Sequence, residues 1–259
     1  MQFALAACVL ASFGCGVMGT YVVIKRISFL TGGIAHTILA GMGIAYFFNG
    51  SPLLGAVIAA LLTAVLIGLI KLRWRQDEDI LIAAFWSTGM AIGIIFISMT
   101  PGYNSDLMSY LFGNILLVTA NDLVLMAILD AVVIGMVFVF YKQFLAATFD
   151  EEFARLRGIH VEMVYILLLC LIALTIVLMI QVVGLILVMA LLILPAASAI
   201  QFSSSIPRIM ATAVALSMVI TCGGFMLSYS PDLPAGASII VLAALVYFSA
   251  VFISRQRRV

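Results

Sequence analysis

Charge is what this chain has least of: among 259 residues only 12 are Lys or Arg and 11 are Asp or Glu, 9% in all. A water-soluble domain carries roughly 25% charged residues. A soluble fold is therefore excluded, and helical membrane spans of about 20 apolar residues become the natural unit. The apolar runs are continuous and do not alternate with period two, which argues against a transmembrane barrel. The four cysteines, Cys8, Cys15, Cys170 and Cys222, lie inside apolar runs without CxxC spacing. They read as small buried hydrophobes, and neither a disulfide nor a metal cluster is expected of them. No Gly-x-x-x-x-Gly-Lys-Ser/Thr loop occurs, so the chain does not hydrolyse ATP in the P-loop manner. A Gly-x-Ser-x-Gly elbow and a His-Glu-x-x-His zinc site are equally missing, which leaves an intramembrane enzyme little to work with. Leu5-Ala-Ala-Cys8 looks like a lipoprotein cleavage box, but no positive charge precedes it and the apolar stretch before it is too short for a signal peptide. Residues 1–24 are read instead as the first span.

What is there is hydrophobic: 66% of the residues, with a mean hydropathy of +1.32. Ile27 to Ile70 is 44 residues without Lys, Arg, Asp or Glu, enough for two spans with Asn49-Gly-Ser-Pro52 as the turn. Met163 to Pro207 is another uncharged run of 45 residues, again two spans, turning near Val183-Gly184 with Pro195 as a candidate kink. Nine crossings are expected, at 3–24, 28–48, 52–70, 80–98, 122–141, 163–182, 184–200, 209–229 and 236–254. Residues 107–121 are too short to cross and are read as a re-entrant or interfacial piece. With the N-terminus outside, all twelve Lys and Arg residues fall on the cytoplasmic side, as the positive-inside rule requires, and the C-terminus is cytoplasmic. No internal repeat and no linker divides the sequence, so residues 1–259 form a single transmembrane domain.

Within this apolar background the polar residues stand out. His36 is the only histidine in the 44-residue run, and on a helix Gly32, His36, Ala40 and Gly43 share one face at i, i+4, i+8 and i+11. A small-residue face with one imidazole suits close helix packing, or a narrow path with one ligand. A histidine hydrogen-bonded to a neighbouring helix is the alternative. Asp130, a carboxylate in an apolar helix, reads as a proton relay or cation ligand, or else as a neutral, hydrogen-bonded acid. Ser87-Thr88 and Gln181 complete the polar candidates inside spans, and Gly89-Met-Ala-Ile-Gly93 is a GxxxG pattern for close helix approach. His160 and Asp232 read as solvated loop residues. In the longest polar segment, Phe149, Phe153 and Leu156 recur at i, i+4 and i+7, with Asp150 to Glu152 early, Arg155 and Arg157 late, and Gly158 at the stop. That spacing predicts a short amphipathic helix on the cytoplasmic side, suited to the membrane surface or to a soluble partner.

Several segments together resemble the membrane subunits of ATP-binding-cassette importers for divalent transition metals (zinc, manganese or iron(II)). They are Lys25-Arg-Ile-Ser-Phe29 leading into Ala35-His36, Asp106 to Leu116, Phe149 to Gly158, Val183 to Ser198 with its Leu194-Pro-Ala-Ala, and Pro234-Ala-Gly236. The resemblance covers nearly the whole chain. It implies an all-α polytopic fold of the type II ABC importer kind, with about eight or nine transmembrane helices plus the irregular segment. It also implies a permease in the plasma (inner) membrane that pairs with a second copy, with two separate ATPase subunits, and with an extracytoplasmic metal-binding protein. Bilayer contact and no nucleic acid are expected, and no cofactor beyond the transported ion. Asp150, Glu151, Phe153, Ala154 and Gly158 become the coupling element for the ATPase. Relatives place an aspartate four residues before the histidine, where this chain has Gly32. His36 then needs other ligands, with Asp130, Ser87 or groups of the partner copy as pathway candidates. Imidazole without a carboxylate leans toward Zn²⁺, since Mn²⁺ prefers oxygen.

Three other readings compete. A proton-coupled secondary metal transporter would use Asp130 and His36 as relay groups. A membrane scaffold without transport is disfavoured by the small-residue face, and siderophore or cobalamin permeases are longer chains.

Overall fold

The computed structural model describes residues 2–74, 77–100, 113, 115–229 and 233–256. These form eleven α-helices: α1 (Gln2–Ile24), α2 (Ser28–Phe47), α3 (Pro52–Trp74), α4 (Glu78–Ser98), α5 (Ala120–Val139), α6 (Tyr141–Phe149), α7 (Glu151–Leu156), α8 (Val161–Val183), α9 (Leu185–Ile200), α10 (Ile206–Tyr229) and α11 (Ala235–Gln256). A single 3₁₀ turn, Ile115–Leu117, precedes α5. Residues 107–112 and 114 of the re-entrant segment expected at 107–121 lie outside the described residues, as do Asp106 and Asp232. The helix ends follow local chemistry. Thr119 and Asp122 close a capping box at the start of α5, Thr119 donating from N (3.0 Å) and from Oγ1 (2.7 Å) to Asp122 Oδ2.

Eight of the helices are long and apolar enough to cross a membrane. The ninth expected crossing, 184–200, is the sixteen-residue α9. At 1.5 Å per residue it spans about 24 Å, short of a hydrocarbon core of about 30 Å. Its start is set by Gly184, whose φ of 84° and ψ of 161° fall in a region open essentially to glycine alone, so α8 cannot run on as one rod.

By compactness the chain divides into two units, Met1–Arg26 with Leu107–Val132 and Leu178–Val259, and Ile27–Asp106 with Val133–Val177. In the first, α1 is the central rod. Gly19 of α1 lies directly on the Leu192 backbone of α9, and further along Val23 and Ile24 pack against a cluster that holds Ala196 and Ala199 of α9. Both helices therefore advance in the same direction. Against α10 the pairing descends: Cys8 and Ser12 meet Thr221, Gly16 meets Val214, and Val23 and Ile24 meet Ile209 and Ala213. Those two helices are antiparallel. Gly224 of α10 abuts Ile239 near the start of α11, and Ser254 near the end of α11 donates to Gln201 (3.0 Å) just past α9. So α1, α9 and α11 run one way and α10 the other. Short as it is, α9 has the direction that the ninefold alternation requires. The seam between α1 and α10 is polar as well as small, with Ser12 Oγ and Thr221 Oγ1 3.0 Å apart in a fully buried pair. Side chains of this kind satisfied across or within helices replace the hydrophobic drive that lipid does not supply.

In the second unit α2 is the rod. A Cβ on Gly41 would collide with the Gly55 carbonyl of α3, and one on Gly55 with the Gly41 carbonyl, so α2 and α3 form a close antiparallel hairpin. The positions of α2 that meet α4 rise together: Gly33 with Ile82, Thr37 with Gly89, Leu39 and Gly43 with Gly93. The GxxxG pair read from the sequence is therefore the surface on which α2 lies. Gly68 of α3 faces Ile166 and Leu169 of α8, and Lys71 Nζ donates to Tyr165 Oη (3.1 Å). The outward stripe of α3, Leu54, Ile58, Leu62, Leu66 and Leu69, is exposed, which is the expected surface for lipid or another membrane chain.

Candidate functional site

His36 sits in the middle of α2, between Gly32 and Gly33 one turn earlier and Ala40 and Gly43 beyond. It is 8% exposed, and its Nδ1 is buried with no hydrogen-bond partner among the described residues. The expected alternative, a histidine held by hydrogen bond to a neighbouring helix, is not met at Nδ1 by any described residue. What covers the imidazole is Trp86 of α4: the two ring centroids are 4.3 Å apart with 24° between the planes, a stacked pair. The indole is held in place from both sides along α4. Ile82, one turn earlier, lies on Gly33, and Gly89, three residues later, lies on Thr37, where a Cβ would come within 2.7 Å of the Thr37 Cα.

Ser87 follows Trp86 but turns outward. It is exposed, and its hydroxyl donates within α4 to Ala83 (2.9 Å) and Ala84 (3.2 Å) oxygens. Its oxygen keeps lone pairs for a ligand, yet it is not drawn to the imidazole. Thr88 is engaged in the same way with Ala84 (2.6 Å).

Asp130 belongs to the other compact unit. It is 3% exposed, and neither Oδ1 nor Oδ2 has a hydrogen-bond partner among the described residues. Gly14 of α1 makes the room for it, since a Cβ there would sit 2.5 Å from Oδ1, and Met179 Cε borders the same space. An ionised carboxylate in such a place is costly unless it meets a cation or water. The side chain of Gln181 lies outside the described residues. Among the described residues no group of three or more His, Cys, Asp or Glu is placed to hold a metal ion.

The polar segment after α5 forms two helices where the sequence reading placed one. Asp150 separates them: it closes α6 and caps α7, its Oδ1 accepting from the Phe153 N–H at 2.8 Å. At the far end Gly158, with φ of 75°, lets the Gly158 N–H reach Arg155 O (3.0 Å) and the Ile159 N–H reach Ala154 O (3.0 Å). Ala154 is completely buried and forms the floor of the turn. Asp150, Ala154 and Gly158 therefore shape the element. Phe149, Phe153 and Leu156 stand outward from it, 67%, 48% and 87% exposed, with the Arg157 guanidinium 5.0 Å from the Phe153 ring centroid. Glu151 lies in the first turn, where its charge favours the helix dipole. His160 is exposed beyond the stop, as the sequence suggested.

Trp86 escaped the sequence reading. The signal was present: Trp86, Gly89 and Gly93 fall at i, i+3 and i+7, one helix face, so a tryptophan preceding a GxxxG pair points at whatever helix the pair receives. What the sequence did not show was that the receiving helix is the one carrying His36.

Comparison with known proteins agrees with this architecture. A probable metal transport system membrane protein of Chlamydia pneumoniae is 42% identical over 252 residues, covering 95% of this chain and 86% of that protein. A manganese transport system membrane protein of Halalkalibacterium halodurans is 33% identical over 259 residues, 100% of this chain and 89% of the relative. Among solved structures, PsaBC from Streptococcus pneumoniae in complex with Fab gives a TM-score of 0.88 at 30% identity, covering 99% of this chain and 92% of that chain. The family described as the ABC 3 transport family matches residues 1–254. With its helices, its outward-facing short element and nearly its whole length accounted for, the chain is a multi-pass membrane permease of the ABC 3 transport family.

Proposed function

We propose that this permease is the membrane subunit of an ATP-driven importer that carries divalent transition-metal ions into the cytoplasm, with His36 as the ligand on its pathway. The observation that carries the reading is an imidazole with a buried, unpartnered Nδ1 on the small-residue face of α2. A histidine held through Nδ1 would have that atom bonded, and none of the described residues bonds it. The relatives named for metal or manganese transport support the cargo class. Imidazole without a carboxylate at position 32 favours Zn²⁺, and Mn²⁺ is the competing ion. Asp130, whose two oxygens have no partner among the described residues, and Ser87, with an outward hydroxyl, are secondary pathway candidates. ATP hydrolysis belongs to separate ATPase subunits, because this chain has no P-loop. The exposed apolar side chains of Phe149, Phe153 and Leu156 are the surface that would dock on them, and a second permease copy and an extracytoplasmic metal-binding protein complete the complex. The N-terminus lies outside and the C-terminus in the cytoplasm, a reading supported by the common direction of α1 and α11.

The test is uptake of Zn²⁺ and Mn²⁺ by the reconstituted complex with ATP supplied to the ATPase side. His36→Ala is expected to lose most uptake while still inserting and folding, since taking a polar group out of the membrane offsets the lost stack on Trp86. Wild-type uptake by that variant, or uptake driven by a proton gradient without ATP, refutes the reading.

A further inference from the structure

A histidine that binds metal through one ring nitrogen is ordinarily oriented by a hydrogen bond from the other. None of the described residues bonds His36 Nδ1, so whichever nitrogen takes the ion no hydrogen bond there orients the ring, and Gly32, one turn earlier on the same face, offers no side chain that could make one. Something else must stop the ring from turning about its χ angles. Among the described residues the ring stacked on it is the Trp86 indole, 4.3 Å away and 24° from parallel. That indole is not free to follow a rotating imidazole, because α4 is pressed onto α2 on either side of it, at Ile82 on Gly33 and at Gly89 on Thr37. The stack leaves the ring edge, where the nitrogens are, as the surface for a ligand.

We propose that Trp86 is the positioning residue of His36, and that its indole holds the imidazole in the metal-accepting orientation and favours the loaded form. The inference rests on the reading of His36 as the pathway ligand. A neutral imidazole and an indole attract modestly. When a divalent cation coordinates one nitrogen, the imidazole becomes electron-poor, and the negative face of the indole then attracts it as it would a cation. The contact is therefore stronger after the ion arrives than before, which lowers the metal concentration needed for half-saturation. By the size of cation–π contacts at partly exposed sites, the effect is about two- to fivefold.

Trp86 and Trp74 are the two tryptophans of the chain, and Trp74 stands exposed at the end of α3, so Trp74→Phe makes the emission report on Trp86 alone. In the full-length Trp74→Phe permease, Zn²⁺, which is redox-silent and colourless, is titrated while that emission is followed. The expected result is a saturable change that disappears in Trp74→Phe/His36→Ala. In the reconstituted complex, Trp86→Leu is expected to raise half-saturating Zn²⁺ about two- to fivefold with the maximal rate kept, and Trp86→Phe to recover the wild-type value. A Trp86→Leu permease with wild-type half-saturation, or a Zn²⁺-induced emission change that survives loss of His36, overturns the proposal. The two readings fail separately: normal uptake by His36→Ala removes the ligand itself, whereas loss in His36→Ala with normal Trp86→Leu removes only the role of the indole.

Discussion

If α4 carries the indole to the imidazole because Gly89 lets it lie on α2, then a single methyl group at that position should be felt. A Cβ at Gly89 would stand 2.7 Å from both Cα and Cγ2 of Thr37 and 3.2 Å from its Cβ. Carbon atoms in contact want about 3.5–4.0 Å, so Gly89→Ala must push the two helices apart by roughly 1 Å at this point. The obstructing atoms include backbone, which cannot be moved aside by a rotamer change. Overpacking costs about 1–3 kcal/mol, and the backbone obstacle puts this site in the upper half of that range. Alanine returns about 1 kcal/mol through helix propensity, so the net loss is about 1–2 kcal/mol. Gly135 of α5 is the internal control, because a Cβ there meets nothing within 4 Å. Gly135→Ala keeps the propensity gain without the collision and should be neutral to about 1 kcal/mol more stable. Reversible unfolding in mixed micelles, measured on both variants side by side, gives the two signs. The emission of Trp86 in the Trp74→Phe background should shift in Gly89→Ala and not in Gly135→Ala. Equal stability changes of the same sign, or an unchanged Trp86 signal in a stably folded Gly89→Ala, would refute the claim that this glycine sets the distance between α2 and α4.

Gly32→Asp places a carboxylate four residues before His36 on the same helix face, and should move the ratio of Zn²⁺ to Mn²⁺ uptake toward Mn²⁺; a ratio equal to wild type in a well-folded variant counts against His36 as the coordinating group. Phe153→Asp puts a charge into the exposed apolar surface of α7 and is expected to abolish co-purification of the ATPase and all uptake, while the permease still inserts. Retained ATPase association with normal uptake would make that surface a lipid-facing one. A cysteine at Asn49 should be labelled by an impermeant reagent from outside the cell, and one at Arg73, at the opposite end of α3, only after permeabilisation. The reverse pattern would invert the topology.

The parts of this architecture legible in the sequence are those a single segment determines. An uncharged run of 44 or 45 residues has to be two spans, and the breaks at Asn49 to Pro52 and at Gly184 fall where turn chemistry puts them. The cap at Asp150 and the stop at Gly158 are likewise local, although the helix expected from Phe149 begins only at Glu151, Phe149 ending the helix before it. What could not be read is what one helix does for another. Gly14 looks like any small residue of α1 until Asp130 is found to occupy the space above it. Trp86 looks like an interfacial aromatic until it is found on His36, fifty positions away in the chain. Small residues in a membrane helix say that something comes close, and not what comes. The same limit applies to Ser87: its neighbour in sequence reaches the imidazole, and it does not, because successive residues on a helix point about 100° apart. The polar residues of a membrane protein can thus be found by scarcity alone, since each is conspicuous against its surroundings. Their roles depend on which small-residue face admits which helix, and in α2 and α4 that is decided by Gly33, Gly89 and Gly93. On the reading proposed above, function is carried by the His36 imidazole, and its geometry by three residues that have no side chain.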